Sequence, residues 1–414
     1  MASSSGKTKR NHNLLRLVEE RALSKKIEKE QKKQQVPYLS KDCVWNILIR
    51  LPIQSLSSMR FVCKPWCSII SDGNFIDAHL RCSETVLISL RSFVLHPLKT
   101  TPPDPPNTFS VEASLLQRKP LLQRKPLSIF DHPLKNGPSK LYIQFMEIKE
   151  GKSKIVEYNI SCFGMVRASC NGLILVDNRL KSGGLIVMNP VTRKLIALPV
   201  GTINPRNESF GFALCEVTGE YKVVHLFQDK LGYISCETIN LGTRVWREVN
   251  GPSFGLFQTF EHKPVSAIGA LHWLPEIRIN DYIVSMEVDN ETFRTLSLPK
   301  TGGCYDRIIE KDGFLCFVTH EELNIDIWIL KGLSGEVWTK HYSLTNGSVI
   351  DMVPLLSFKV SGDMVFVRNE DGSYYVYNFK LQMMTKVEME EGHRWSSSSF
   401  VLPHVNSLVS WERN

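Results

Sequence analysis

The sequence predicts a mainly β protein: a small helical module over residues 37–82, followed by a kelch-like β-propeller of about six blades over 83–414. Three observations predict it. Apolar residues keep helical spacing from Val44 to Leu80. From about residue 140 onward apolar and polar residues alternate, interrupted by turn dipeptides. These hairpins fall into units whose starts lie roughly 40 to 55 residues apart, the period and strand count of propeller blades. A β-sandwich is the alternative architecture, and the period argues against it.

Composition sets the outer limits. The chain has 414 residues, 43% hydrophobic and 22% charged, enough for at least one large core. No apolar run approaches the roughly 18 residues that a membrane-spanning helix needs. The first residues, MASSSGKTKRNHN, lack an apolar signal core, so the expected setting is soluble, in the cytoplasm and/or the nucleus. The ten cysteines are scattered with no C-x2-C, which in a reducing compartment makes them mostly small buried hydrophobes. Residues 1–36 hold ten Lys/Arg against four Asp/Glu, so +6 of the net +8 lies there and the remainder carries +2. A body that close to neutral is not a nucleic-acid surface, and no nucleic-acid partner is expected.

Taken in order, residues 1–36 form a basic tail, helical or disordered. The stripe of Leu15, Val18 and Ala22 ends at Lys25. In 37–82, Ser40 or Asp42 caps a first helix whose stripe is Val44, Ile47, Leu48 and Leu51. Pro52 ends it and starts the next. There Leu56, Met59, Cys63, Trp66, Cys67 and Ile70 recur at i, i+3 and i+4. On one continuous helix Leu56, Cys63, Cys67 and Ile70 fall within roughly 60° of each other, so both cysteines are expected to face inward. A last short helix begins at Phe75. Residues 96–140 read as a Pro-rich flexible loop in which LLQRKP occurs twice in tandem, at 115–120 and 121–126.

The β region has hairpin signals at Asp289-Asn290, Asp312-Gly313 and Asp371-Gly372. Five repeat units begin near Cys170, Phe210, Ala267, Ile308 and Leu355, and the stretches ETVLISL and KLYIQFMEIKEGKSKIVEYNI supply one more. VNSLVSW, near the C-terminal end, is expected to pair with the first strands and shut the ring, removing an exposed sheet edge.

The helical segment resembles an F-box, the module that docks a Skp-type adaptor of SCF ubiquitin ligases. The matching residues are Leu39, Asp42, Ile47, Leu48, Leu51-Pro52, Leu56, Val62-Cys63-Lys64, Trp66 and Ile69-Ile70. The remainder resembles the F-box-associated interaction domain of plant F-box proteins, through CNGL (170–173), NPVTRKL (189–195), SFGFALCEVTGEYKVV (209–224), GALHWL (269–274) and VNSLVSW (405–411). The resemblance implies a non-catalytic substrate receptor that binds the adaptor, and through it a cullin, while the β domain holds a protein target for ubiquitylation and degradation. It implies adaptor contacts by Leu39, Ile47, Leu48, Leu51, Pro52, Leu56, Val62, Cys63, Trp66 and Ile69. A propeller scaffold acting outside a ligase is the alternative function.

Other chemistry is poorly supported. C-x3-C-x11-H-x2-C at 63–82 has zinc-like spacing, but its cysteines belong to the apolar stripe, so no metal is expected. GPSFG (251–255) matches G-x-S-x-G but has no helix after it, and THEEL (319–323) lacks the second zincin histidine. His225, His262, His272, His320 and His341 are isolated in sequence. No catalytic residue and no cofactor is expected.

Overall fold

The computed structural model describes residues 24–25, 39–93, 140–159, 163–178, 183–203, 205–252, 262–275, 281–299, 303, 305–321, 324–333, 337–345, 351–391, 395 and 401–412. The basic tail, apart from residues 24 and 25, and the Pro-rich segment with its duplicated hexamer lie outside them. The chain divides into two compact units, Met1–Phe75 and Ile76–Asn414.

Four short helices cover the first stretch, not three: α1 (Lys41–Leu48), α2 (Ile53–Met59), α3 (Lys64–Ile70) and α4 (Gly73–Cys82). Ser40 caps α1 by accepting from the Cys43 N–H at 3.2 Å, and Pro52 sits at the N-cap of α2, where its missing N–H costs nothing. The run from Leu56 to Ile70 is not one helix. Cys63 is extended (φ −160°, ψ 161°), and Pro65 lies in the first turn of a new helix, because a proline inside a continuous helix would lose its N–H bond and clash with the carbonyl four residues back. The break undoes the single stripe: Cys63 and Cys67 are both exposed, not inward. Leu48, Leu56, Ile69, Ile70 and Phe75 are buried, and Trp45 meets Phe75 edge-on at 5.0 Å.

The second unit is a six-bladed propeller of four-stranded antiparallel sheets. Blade I joins β24 (Leu402–Val405) to β1 (Thr85–Phe93), β2 (Lys140–Lys149) and β3 (Lys152–Asn159). Blade II is β4 (Phe163–Cys170), β5 (Leu173–Asn178), β6 (Gly184–Asn189) and β7 (Lys194–Ala197). Blade III is β8 (Arg206–Leu214), β9 (Tyr221–Gln228), β10 (Ile234–Asn240) and β11 (Trp246–Val249). Blade IV is β12 (Val265–Ala267), β13 (Ala270–Trp273), β14 (Tyr282–Glu287) and β15 (Phe293–Ser297). Blade V is β16 (Arg307–Lys311), β17 (Phe314–Glu321), β18 (Asn324–Leu330) and β19 (Trp338–Thr345). Blade VI is β20 (Met352–Ser357), β21 (Met364–Arg368), β22 (Tyr374–Asn378) and β23 (Met383–Lys386).

The inner strands β24, β4, β8, β12, β16 and β20 touch in cyclic order and close a ring around an axial channel. They all begin at one end, here the front, and finish at the rear. Rear connections are short. Several are tight turns with two residues at positive φ: Glu150-Gly151, Asn171-Gly172, Ile268-Gly269 and Asp312-Gly313. At the Asp289-Asn290 turn the positive φ (59°) falls on Glu291 instead. Front connections run over 94–139, 250–264 and 387–401, whereas no rear one exceeds 331–337.

Closure uses LPHV, not VNSLVSW: Thr85 pairs with Val405 and Ile88 with Leu402. VNSLVSW works as a clasp beyond the strand. The fully buried Asn189 donates from Nδ2 to the Ser407 and Val409 carbonyls at 3.1 and 2.8 Å, and its Oδ1 accepts from the Val191 and Thr192 N–H groups. Ser407 Oγ donates to the Asn171 carbonyl at 2.6 Å. Gly172 is needed there, since a Cβ would lie 2.0 Å from Ser407 Oγ at φ +90°. At the same rear end Ile76 and Leu80 of α4 join the core of blades II and III, and Lys359 Nζ donates to the Leu80 carbonyl at 3.0 Å. No described helix is long and apolar enough to cross a membrane.

Candidate functional site

Two places gather side chains that could bear on function. The first is the surface of the helical unit. Of the residues expected to bind an adaptor, Leu39 (53% exposed), Ile47 (47%) and Val62 (58%) are exposed, as are Pro52 and Cys63. Leu51 and Trp66 are half-buried, while Leu48, Leu56 and Ile69 are buried. The ten therefore split into a surface set and a supporting core set. The sequence reading passed over Phe61, which at 90% is more exposed than any of them. It sits in the α2–α3 link, where helical periodicity gives no signal, and Pro65, which belongs in the first turn of a helix, was the available clue to a break there. Leaving large apolar side chains in water forgoes about 1.5–3 kcal/mol each. Several of them on so small a unit make it a candidate interaction surface.

The second place is the front mouth of the channel. On β4, Arg167 meets Asp177 at 2.6 Å and Glu208 at 2.7 Å. Glu208 approaches His225 Nε2 at 3.5 Å, and His225 Nδ1 meets Glu237 Oε1 at 2.8 Å. Glu237 accepts from the Thr202 N–H at 2.9 Å. The His225 ring stacks on Phe210 at 4.2 Å. Burial pulls the His225 imidazole down, but its bonds to Glu208 and Glu237 outweigh that and hold it above the ordinary range. Burial favours the neutral acid in both carboxyl groups, and the contacts with His225 and Arg167, or with His225 and Thr202, still leave them below the ordinary range. This chain of charges joins blades II and III.

The remaining candidates are structural. His272 bonds Ser285 at 2.7 Å and the Ala267 carbonyl at 3.1 Å, and burial lowers it to about 4. His320 Nδ1 meets Asp306 at 3.2 Å. Burial raises the Cys170, Cys236 and Cys316 thiols to about 12, so none is an activated nucleophile. Among the described residues no group of three or more His, Cys, Asp and Glu is arranged to hold a metal ion. GPSFG from Ser253 onward, and the end of THEEL, lie outside the described residues.

Comparison with known proteins bears on both places. Residues 37–77 match the F-box domain, and residues 135–409 match the F-box associated beta propeller domain. F-box protein At3g07870 of Arabidopsis thaliana is 24% identical over 347 residues, which covers 74% of this chain and 72% of that protein. F-box protein CPR1 of the same plant is 25% identical over 343 residues, covering 73% and 72%. An F-box implies binding of a Skp-type adaptor, and proteins with this pair of domains are typically non-catalytic substrate receptors. With its small helical unit and its closed ring of six blades, the chain belongs to the F-box proteins that carry an F-box-associated β-propeller domain.

Proposed function

We propose that the chain is the substrate-recognition subunit of an SCF-type ubiquitin ligase. The observation that carries this reading is the exposed apolar set Leu39, Ile47, Phe61 and Val62 on a small helical unit. A partner groove is the natural sink for it. Pro52, Cys63, Leu51 and Trp66 extend the contact, and Leu48, Leu56 and Ile69 hold the helices that present it. The adaptor brings a cullin and the ubiquitin-charged enzyme. The chain then needs no catalytic group of its own, because holding a target nearby raises its effective concentration.

The target is a protein held at the front end of the propeller. The rear is already occupied by α4 from Ile76 onward and by the C-terminal clasp, and the longest connections are at the front. Co-purification tests the reading: the full chain should bring down a Skp-type adaptor and a cullin. Trp66→Ala, or a Leu51/Pro52 double change, should lose both while the propeller still melts cooperatively. Wild-type chain that captures neither protein overturns the reading.

A further inference from the structure

Lys263 lies just before β12, at the front of blade IV, and its Nζ donates to the Val166 carbonyl on β4 of blade II. These inner strands are not neighbours, because β8 of blade III stands between them in the ring. The side chain therefore passes in front of β8 and sets its ammonium in the mouth of the channel, where the residue is half-buried.

Among the described residues Asp177 is the carboxylate that acts on it, and only through charge at a distance. Among the described residues Lys263 makes no ion pair. The acids nearest to it in the network, Asp177 and Glu208, are both bonded to Arg167. Asp306 is held by the Gly303 and His320 N–H groups and by the His320 ring. Arg167 repels Lys263 from one side, and beside it Arg307 acts on His262, whose imidazole burial and that cation lower to about 4. Burial first, and Arg167 second, bring the Lys263 amine down to about 7, with Asp177 opposing weakly. An ammonium out of water with no counter-ion is a costly arrangement, and an oxyanion placed against it relieves the cost.

We propose that the front mouth of the channel is an oxyanion pocket, in which Lys263 with His262 beside it takes one carboxylate or phosphoryl group from a segment of the bound target protein. The pocket deepens the receptor reading by naming the chemistry of the target, and it rests on that reading only for the source of the anion. The inner-strand backbone fixes the amine through Val166.

Competition in amine labelling tests the pocket on the full chain co-purified with its adaptor. An acylating reagent is applied near neutral pH, and modification of each lysine is followed by peptide mass spectrometry. At constant ionic strength, replacing chloride by sodium acetate or inorganic phosphate should slow labelling of Lys263 about threefold, the factor 1 + [L]/Kd at twice Kd, while surface lysines are unaffected. Protection by acetate assigns a carboxylate-bearing target, and protection by phosphate alone a phosphorylated one. Lys263→Met should abolish the anion-dependent rise in melting temperature, and Lys263→Arg should keep it. Unchanged Lys263 labelling in both anions, or an equal melting shift in Lys263→Met, overturns the pocket. Co-purification with the adaptor is scored separately, so loss of the receptor reading and loss of the pocket give different results.

Discussion

The helical unit and the propeller dispose of their apolar residues in opposite ways. The propeller buries its large ones between blades, in clusters such as Leu175, Val187, Phe212 and Val223, or Ile327, Met364 and Phe366, all 2% exposed or less. The helical unit leaves Phe61, Val62, Leu39 and Ile47 in water. The ring has no missing partner, because each sheet face is covered by the next blade and the inner strands close on themselves. The helices are too few to cover one another, and the proposed adaptor would complete them. Stability in this chain is therefore an internal property of one region and a bimolecular property of the other.

Removing residues 402–414 is the most drastic way to break that contrast. It deletes the strand that shuts blade I and the clasp behind it, and it should abolish the cooperative melting of the propeller. Circular dichroism melts would check this, and a retained sharp transition would contradict it. Asn189→Ala is the single-site version. It removes four hydrogen bonds inside the core, leaves two carbonyls and two N–H groups without that partner, and should cost about 3 kcal/mol in urea unfolding.

His225→Gln should cost about 2 kcal/mol, with a pH dependence of definite sign. The His225 pKa is raised in the folded state, so its contribution is complete below the ordinary imidazole value and fades as pH rises through the folded one. Those of Glu208 and Glu237 are lowered, so their share is complete above the ordinary carboxylate value and fades as pH falls through the folded ones. The gap between wild type and variant should be widest between roughly pH 4.5 and 6.5. A gap that grew steadily toward pH 9 would contradict the assignment. The smallest effect on stability belongs to the helical unit. Val62→Glu and Phe61→Ser should move unfolding by less than about 0.5 kcal/mol, as exposed substitutions do, yet sharply reduce adaptor capture.

Much of the propeller was legible because its rules are local. Alternation, turn chemistry and a repeating period each need only a short window, and each sequence unit lies over one observed blade. The family markers also acquire physical reasons once folded. CNGL supplies the glycine against which Ser407 packs, and NPVTRKL supplies the asparagine that holds the carbonyls of VNSLVSW. GALHWL and SFGFALCEVTGEYKVV meet where Trp273 Nε1 donates to Ser209 Oγ at 3.1 Å.

What escaped the sequence depends on breaks or on distance. The helical wheel over 56–70 assumed a continuity that Pro65 interrupts, and it turned Cys63 and Cys67 the wrong way. The closing strand proved to be LPHV, because VNSLVSW is drawn off to Asn189 and Asn171. On the proposed adaptor face, helical spacing singled out Ile47 and Leu48 together, but only the fold separates the exposed one from the buried one. Histidines isolated along the chain acquire partners from other strands, as His225 does with Glu208 and Glu237. The channel mouth was invisible, since Lys263 and Val166 belong to different blades.

The pairing of β24 with β1 also bears on how the ring is reached. Every other pair of strands in the six sheets joins strands consecutive in sequence, whereas this pair comes from opposite ends of the domain. Such a contact has a high loop-closure cost and forms late, so the last step should set the folding rate. Until then β1 carries an unpaired edge that any extended chain can join. Once the pair forms and Asn189 fastens the segment behind it, opening requires those bonds to break together. The molecule is then slow to assemble and slow to come apart, and its persistence rests on a barrier at one seam as much as on the sum of its contacts.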